Sequence, residues 1–483
     1  MIRSIPVNPE NPVNPVKVKL GLIIVVLCVA ANGAHANEST RVTISVLPAG
    51  EARVEAESSP MRSWSFRNAY AGVLGIAERV ENFQAFSNSG EDPQLKKIVT
   101  GEYRSALDAT RISYNVRLSQ PTLRDVSHTS WIADERGLLM FADLLPIDFE
   151  SVSVVFRLPA DWAVESSITP GMNGHYRVAA PEKAVFIIGR SLRKTSKSVN
   201  GMNLDTVISG AWPFKDAEAI KAASRVLNHY HALIGFKLPN KSAIFMAPLP
   251  VTVGSTKWRA ETRGSTVVLL MDPAAPIPNW FGQLGVIFTH ELLHLWVPNS
   301  LRLQGDYDWF FEGFTLYIAL RTALELKIIN FKEFLDTLAR VYDSYLSFAD
   351  KHSLIEASER RWTSPGSLVY DKGMLVAFLY DLTIRKETGG KTTLAQRYRD
   401  LFNGGVADGQ QGNEAIIAWL GSSPATKDFA KSYIETGGEL ELERVLPAFG
   451  LHLNASGQSS QLRVASELNP DQKRLLRSLG YRN

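Results

Sequence analysis

The sequence predicts an α+β protein of several domains, in which an antiparallel β-rich region precedes a mixed region that becomes mostly helical. Between Thr40 and Trp212, short stretches alternate polar and apolar residues and are separated by glycine and proline. Beyond Pro213, apolar residues recur at helical spacing, first over Asp216 to Leu233. The chain has 483 residues, which is more than one ordinary domain holds.

The composition is that of a globular protein, and it excludes some classes of partner and site. Hydrophobic residues make up 45% and charged residues 21% of the chain. The net charge of +3 is small for this length and no basic cluster stands out, so we expect no nucleic-acid partner. The one cysteine, Cys28, lies in an apolar run near the N-terminus, so a metal site further along cannot use thiolates.

Residues 1–36 have the pattern of a secretory signal peptide. Lys17 and Lys19 precede the apolar run Leu20 to Ala31, and Ala34 to Ala36 offers an A-x-A cleavage site. We therefore predict export to the periplasm or the medium, with no membrane span in the mature chain. An uncleaved membrane anchor is the alternative, although the run is short for a bilayer.

Residues 37–212 form the predicted N-terminal β-domain, an antiparallel, sandwich-like region. Its strand candidates alternate polar and apolar residues or form short apolar runs, as expected of a sheet with one buried face. They are Arg41–Leu47, Thr110–Leu118, Val152–Leu158 and Ala184–Ile188.

The rest of the chain divides into a second domain at 213–350, a helical continuation of the same region at 351–455 and a polar tail at 456–483. Within the second domain, Ala243–Ala247 and Ser265–Leu270 are predicted strands, and the second is apolar and rich in β-branched residues. We expect the second of these strands to border a cleft.

The motif H-E-x-x-H at residues 290–294 is the main chemical feature of the second domain. On a helix, residues four apart lie on one face, so His290 and His294 can point at one metal ion. Glu291 lies beside that face, where it can act as a base toward a water that the metal holds. Because the surrounding residues are apolar, the helix should be buried, and its histidines then need a partner such as Zn²⁺.

A catalytic zinc site needs three protein ligands and one open position, so two histidines are not enough. Glu312 is the candidate for the third ligand. Residues 295–311 separate it from His294, and Pro298 with Asn299 ends the first helix. A second helix that begins near Trp309 would then bring Glu312 back to the metal.

These motifs resemble those of the gluzincin metallopeptidases, and most closely those of the glycyl aminopeptidase family. The matching segments run from His290 to Trp296 and from Trp309 to Tyr317. The spacing departs from that family, which usually has a longer insertion, and is near the 18 residues usual in the membrane-alanyl aminopeptidase family. The resemblance implies a thermolysin-like zinc metallopeptidase catalytic domain with a β-domain before it and a C-terminal helical region after it.

Two further residues are candidates for roles in the site. Tyr370 begins a Y-D-K-G segment, and a phenol near the metal can donate a hydrogen bond to the oxyanion of peptide hydrolysis. The same pattern carries the catalytic tyrosine in both aminopeptidase families. The resemblance also implies that Glu261 holds the free amine of the substrate; a solvated loop glutamate is the alternative.

The sequence thus predicts a zinc-dependent peptidase for peptide or protein substrates, and by resemblance an aminopeptidase. Two alternatives remain open. One is an endopeptidase with the same zinc chemistry, and the other is a disabled peptidase fold that only binds peptides. The sequence gives no indication of the oligomeric state.

Overall fold

The computed structural model describes residues 40–482, apart from 48–49, 119–120, 123–125, 252–257, 276, 278, 350, 363–367 and 455–458. The predicted signal peptide lies outside the described residues. Within the described ranges, every helix is too short or too polar to cross a bilayer.

The first part of the chain forms a seven-stranded and a four-stranded sheet. In spatial order, the larger sheet contains Tyr176–Val178, Val152–Arg157, Thr40–Leu47, Glu51–Ser65, Glu102–Arg117 and Val80–Phe86, and Lys96–Val99 also pairs with Glu102–Arg117. The smaller sheet contains Trp162–Ser166, Val185–Arg190, Arg136–Met140 and Trp131–Ala133.

The prediction of a wholly antiparallel region is wrong for one strand pair. Thr40–Leu47 pairs in parallel with Val152–Arg157, and the other strand pairs of these two sheets are antiparallel. Parallel neighbours need a long connection, and the many residues between these two strands provide one. Alternation of polar and apolar residues has the same period in both arrangements, so the sequence pattern does not distinguish them.

The four-stranded sheet lies between two apolar cores. Phe186 and Ile188 belong to the core that it shares with the seven-stranded sheet. Val185 and Ile187 point the other way, into a core that includes Phe245 and other residues of the next sheet. This strand is therefore apolar at successive positions because both of its faces are buried.

A five-stranded mixed sheet follows and supports the candidate site. Its order is Arg193–Val199, Met202–Ile208, Lys241–Pro248, Thr266–Met271 and Trp258–Arg263. The two strands before Trp212 and the three after it belong to one sheet, while the domain bounds themselves stay a prediction. Trp258–Arg263, the edge strand, pairs antiparallel with Thr266–Met271, the strand predicted to border the cleft.

Helices make up most of the remainder. The α-helices are Phe141–Leu144, Asp216–Ile234, Trp280–Glu291, Thr315–Glu325, Phe331–Leu346, Leu354–Glu359, Leu368–Glu387, Leu394–Asp400, Gly412–Leu420, Phe429–Tyr433, Leu442–Val445 and Pro470–Ser478. Two π-helical segments, Trp309–Phe314 and Leu401–Gly405, also occur, with 3₁₀ turns at Ile76–Arg79, Met172–Gly174, Pro181–Lys183, Leu293–Leu295, Pro424–Thr426 and Leu446–Phe449. The last two strands, Leu451–Asn454 and Gln461–Val464, form a hairpin, as do Ala69–Tyr70 and Val73–Leu74.

The helix that carries H-E-x-x-H is shorter than predicted. The α-helix Trp280–Glu291, here called the His helix, ends before His294, which lies in the 3₁₀ turn Leu293–Leu295. The tighter turn follows from i→i−3 hydrogen bonding, since the Trp296 N–H donates to the Leu293 carbonyl. His290 and His294 still lie on one face.

Two glycines bring the Glu312 segment (Trp309–Phe314) against the Tyr370 helix (Leu368–Glu387). A Cβ atom built on Gly313 would lie 2.5 Å from the Gly373 Cα atom and 2.8 Å from the Val369 carbonyl oxygen. These are backbone atoms, so a side chain at this point would separate the two helical segments. Gly313 of W-F-F-E-G-F-T and Gly373 of Y-D-K-G thus pack against each other.

We expect Gly373→Ala to destabilise the protein. Alanine favours a helix over glycine by about 1 kcal/mol, but a Cβ at Gly373 would lie 2.9 Å from the Gly313 Cα atom and from the Trp309 carbonyl oxygen. Overpacking of this kind typically costs about 1–3 kcal/mol. Urea unfolding measures the change in the free energy of unfolding.

Gly285→Ala in the His helix is the control, because a Cβ there meets only the side chain of Ile328. Its loss of stability should be smaller. Equal stability of Gly373→Ala and the unmodified protein would show that the helices tolerate a wider separation.

Candidate metal centre

Three side chains from two separate segments converge on one point. The Nε2 atoms of His290 and His294 lie 3.1 Å apart. The Glu312 Oε2 atom lies 3.6 Å from each of these two nitrogens. This is the one cluster of metal-ligand side chains found among the described residues.

The arrangement fits a tetrahedral zinc ion. With bonds of about 2.0–2.1 Å, adjacent ligand atoms of a tetrahedral site lie about 3.3 Å apart. The three observed separations are close to that value. Two imidazole nitrogens and one carboxylate oxygen leave a fourth position for water or substrate, as catalytic zinc sites require.

The two histidines differ in their surroundings. The His294 Nδ1 atom lies 2.8 Å from the Val297 carbonyl oxygen and donates to it, which leaves the Nε2 lone pair directed at the centre. His290 is the more exposed of the two, with 18% of its side chain accessible against 8%. Its Nδ1 atom is buried and has no hydrogen-bond partner among the described residues.

Buried charge dominates the electrostatics of this centre. Burial alone would raise the pKa of Glu312, but the Arg361 guanidinium and His294 outweigh it and hold the pKa well below its usual range. Burial disfavours the charged form of His294, yet the Glu312 carboxylate raises its pKa above the ordinary value. An ionised carboxylate facing two imidazoles is the donor set that a divalent cation prefers.

Glu291 lies beside the cluster and is held by the edge strand. The Thr262 hydroxyl donates to the Glu291 Oε2 atom at 2.9 Å and also lies 2.8 Å from the Glu291 carbonyl oxygen. Glu291 is 5% exposed, and burial raises the pKa of its carboxyl group. The bond from Thr262 occupies one carboxylate oxygen and leaves the other for a reacting proton.

Two further hydrogen bonds connect the edge strand with the turn after His294. The Gly264 N–H donates to the Asn299 side-chain oxygen at 2.9 Å. The Asn299 side-chain amide donates in turn to the His294 carbonyl oxygen at 2.9 Å. Asn299, predicted to end the helix, thus also fixes the position of the second histidine.

Tyr370 lies near the cluster and shares a partner with Glu312. The Arg361 guanidinium donates to the Tyr370 phenol oxygen and, at 2.9 Å, to the Glu312 Oε1 atom. Burial, together with the charge of Glu312, raises the pKa of Tyr370 well above its usual value. The phenol therefore keeps its proton at neutral pH and can donate it in a hydrogen bond.

Glu261 lies on the edge strand and is not a solvated loop residue. Its Oε2 atom lies 2.5 Å from the His128 Nδ1 atom. Its Oε1 atom accepts from the Arg263 guanidinium at 2.9 Å and from the Tyr70 hydroxyl at 3.0 Å. Burial alone would raise the pKa of Glu261, but Arg263 and His128 lower it to about 2.

Sequence patterns did not predict three of these contacts. Arg361 follows Glu312 by 49 residues and His128 precedes Glu261 by 133, so neither belongs to a local motif. Thr262 is next to Glu261 and just precedes the strand predicted to border the cleft, which was the one available signal.

We expect Glu261→Gln to destabilise the protein by about 3 kcal/mol at pH 7, because Arg263 would keep a buried charge without its counter-ion. The folded-state pKa of Glu261 is lowered to about 2. The stabilisation is therefore complete above the ordinary carboxyl range and is lost as the pH falls toward 2. Urea unfolding at several pH values measures it.

Glu81→Gln is the control, because Glu81 pairs with Arg117 in an ion pair whose side chains are 43% and 50% exposed. Exposed pairs contribute about 1 kcal/mol or less. If the two substitutions cost the same, the cluster around Glu261 does not stabilise the fold.

The fold of this chain matches those of solved proteins. No protein-family model and no curated protein matches the chain. Solved structures do match it. An aminopeptidase N family protein from Idiomarina loihiensis superposes with a TM-score of 0.72 at 19% identity, over 86% of this chain and 79% of its own.

A second neighbour is an M1 zinc metallopeptidase from Deinococcus radiodurans. It gives a TM-score of 0.55 at 13% identity, over 84% of this chain and 94% of its own. A variant of that enzyme, bound to a Tyr-Ser-Ala substrate, gives 0.54 at 14% identity over 82% and 93%. The closer resemblance to glycyl aminopeptidases stays a prediction. The chain has the α+β multidomain fold of the M1 and aminopeptidase N metallopeptidases, which confirms the predicted gluzincin fold.

Proposed function

We propose that this protein is a zinc-dependent aminopeptidase that hydrolyses peptides through a water activated at the His290, His294 and Glu312 centre. The observation that carries the proposal is the convergence of these three side chains to tetrahedral spacing, with Glu291 beside them. The fold supports it, because the solved neighbours are aminopeptidase N and M1 zinc metallopeptidases.

The proposal includes the finer domain layout. Residues 213–350 would be the thermolysin-like catalytic domain, which the helical residues 351–455 complete. A sandwich-like β-domain at 37–212 would precede it, and 456–483 would form a tail. Residues 1–36 would direct export to the periplasm or the medium, which N-terminal sequencing of the exported protein tests.

Each side chain has a distinct task in this reaction. When bound, zinc polarises the scissile carbonyl and lowers the pKa of the attacking water. Glu291 accepts the proton of that water on the carboxylate oxygen that Thr262 leaves free, and passes it to the leaving amine. Tyr370 donates a hydrogen bond to the carbonyl oxygen as negative charge develops there.

We expect purified protein to hold about one zinc per chain and His294→Ala to lose it. Glu291→Gln should keep the zinc and the fold, while turnover falls on the order of a hundredfold or more, since the base is gone.

Tyr370→Phe should also keep zinc and lower kcat more than it raises KM. Glu312→Gln should differ from both by losing metal.

Zinc content and peptide turnover, measured on all variants side by side, decide these points. Near-normal turnover of Glu291→Gln would contradict the mechanism. Full zinc retention in His294→Ala would contradict the ligand assignment. A protein that binds zinc and peptides but cleaves none of a broad library would instead be the disabled, peptide-binding alternative.

A specific observation favours endopeptidase activity as a second candidate function. Both oxygens of the Glu261 carboxylate are already paired, with His128 on one side and Arg263 on the other. A substrate ammonium would have to replace or join these partners. An endopeptidase needs no such contact, because its substrates extend through the cleft in both directions.

Matched peptides with free and acetylated N-termini separate the two activities. For the proposed aminopeptidase, we expect cleavage of the first bond of the free peptide, at least about tenfold faster than any cut in the acetylated one. Internal cleavage of both peptides at similar rates, seen by mass spectrometry, would identify an endopeptidase.

A further inference from the structure

Arg361 is a buried cation at the centre of the site that the mechanism above does not use. Its guanidinium donates to Glu312 at 2.9 Å, to the Asp308 carboxylate and to the Tyr370 phenol oxygen. Only 9% of its side chain is exposed. The guanidinium also lies over the Trp362 ring, 4.2 Å from the ring centroid.

We propose that Arg361 is a positioning residue that fixes the metal-ligand carboxylate and the phenol in one rigid unit. The expected effect of Arg361 on turnover rests on the proposed peptidase function. The expected effect of Arg361 on zinc affinity does not depend on that function and can be measured without substrate.

The first half of the proposal concerns Glu312. Arg361 holds the Oε1 atom, while the Oε2 atom faces the two histidines at 3.6 Å. The carboxylate therefore presents one oxygen to the metal position. Asp308 directly precedes the Glu312 segment and lies four residues before Glu312, so the guanidinium contacts this stretch of chain at two points.

The second half concerns Tyr370. Because its oxygen accepts from Arg361, its own hydroxyl hydrogen remains available to a substrate oxygen. Donation from a cation also polarises the O–H group and makes it a stronger donor. A positive charge behind the phenol favours the negative charge that develops in front of it during hydrolysis.

The shape of arginine is essential to this arrangement. A planar guanidinium offers five donors in a fixed fork, so one side chain can reach three acceptors at once. Lysine would supply the charge as a single point and could not hold all three partners in place. Contact with the Trp362 ring adds a cation–π interaction to these three hydrogen bonds.

Zinc affinity tests the first half. With Arg361→Gln, competition with a chelator in the absence of peptide should show zinc binding about 10- to 100-fold weaker, the usual effect of removing a partner of a metal ligand. Arg397→Gln is the matched control. That arginine also lies over a tryptophan, 5.5 Å from the Trp419 ring centroid, and pairs with Asp400 at 3.3 Å, outside the site. Its zinc affinity should not change.

Turnover tests the second half. At saturating zinc, Arg361→Gln should lower kcat about 10- to 100-fold with little change in KM, because the phenol acts in the transition state. In the Tyr370→Phe background the same substitution should lower kcat only about twofold, since two residues that act through one group are not additive. A structural role would give additive losses.

If Arg361→Gln does not fold, Arg361→Lys tests the second half of the proposal. Its zinc affinity should stay within about threefold of the unmodified protein, because the charge beside Glu312 remains. Its kcat should fall nearly as far as that of Arg361→Gln, because lysine lacks the forked guanidinium that also holds Tyr370. Unchanged zinc affinity and unchanged kcat in Arg361→Gln would overturn the proposal, and so would an unchanged kcat in Arg361→Lys if Arg361→Gln does not fold. Additive losses with Tyr370→Phe would overturn its second half.

The outcomes also separate this proposal from the proposed function. If the unmodified protein cleaves no peptide while Arg361→Gln weakens zinc binding and Arg397→Gln does not, the proposed function fails and the link between Arg361 and Glu312 stands. If the unmodified protein is an active peptidase and Arg361→Gln matches it in zinc affinity and kcat, the function stands and the role of Arg361 fails.

Discussion

The buried carboxylate of Glu312 is the constraint on which the rest of the site depends. An ionised group with 11% of its side chain exposed must be compensated where it lies, because water cannot solvate it. The Arg361 guanidinium and the imidazoles of His290 and His294 lie next to the carboxylate and compensate its charge. Asp308 and Glu291 add two more carboxylates, so with neutral histidines the formal charge of this group is −2. A divalent cation balances that charge.

The same constraint explains why two distant motifs form one unit. Compensation for Glu312 comes from Arg361, which also holds Tyr370, so the Glu312 segment and the Tyr370 helix must approach closely. Gly313 and Gly373 allow that approach by leaving backbone against backbone. The glycine that follows the metal ligand and the glycine that ends Y-D-K-G therefore serve one packing contact. Catalytic geometry and helix packing are coupled at this point.

Local patterns in the sequence were enough to predict the convergence of His290, His294 and Glu312, because helical spacing and one turn determine it. The strand bounds at Thr40–Leu47 and Thr266–Met271 also agree within one or two residues with the alternating or apolar runs. The parallel pairing of Thr40–Leu47 with Val152–Arg157 was not predictable, since pairing direction leaves no trace in periodicity. Arg361 and His128 were missed because only the tertiary fold brings them to their carboxylates.

The cluster around Glu261 shows how the N-terminal region contributes to the site. Tyr70 and His128 come from that region and contact a carboxylate on the edge strand. Two residues further along, Arg263 completes the charge balance while it lies over the Tyr70 ring, 4.3 Å from the centroid. The neighbouring Thr262 holds Glu291. Because adjacent residues of a strand point to opposite faces, one short strand connects the N-terminal region on one face with the proposed general base on the other. The position of Glu291 thus depends on how the edge strand is held, and the N-terminal region is one of its supports.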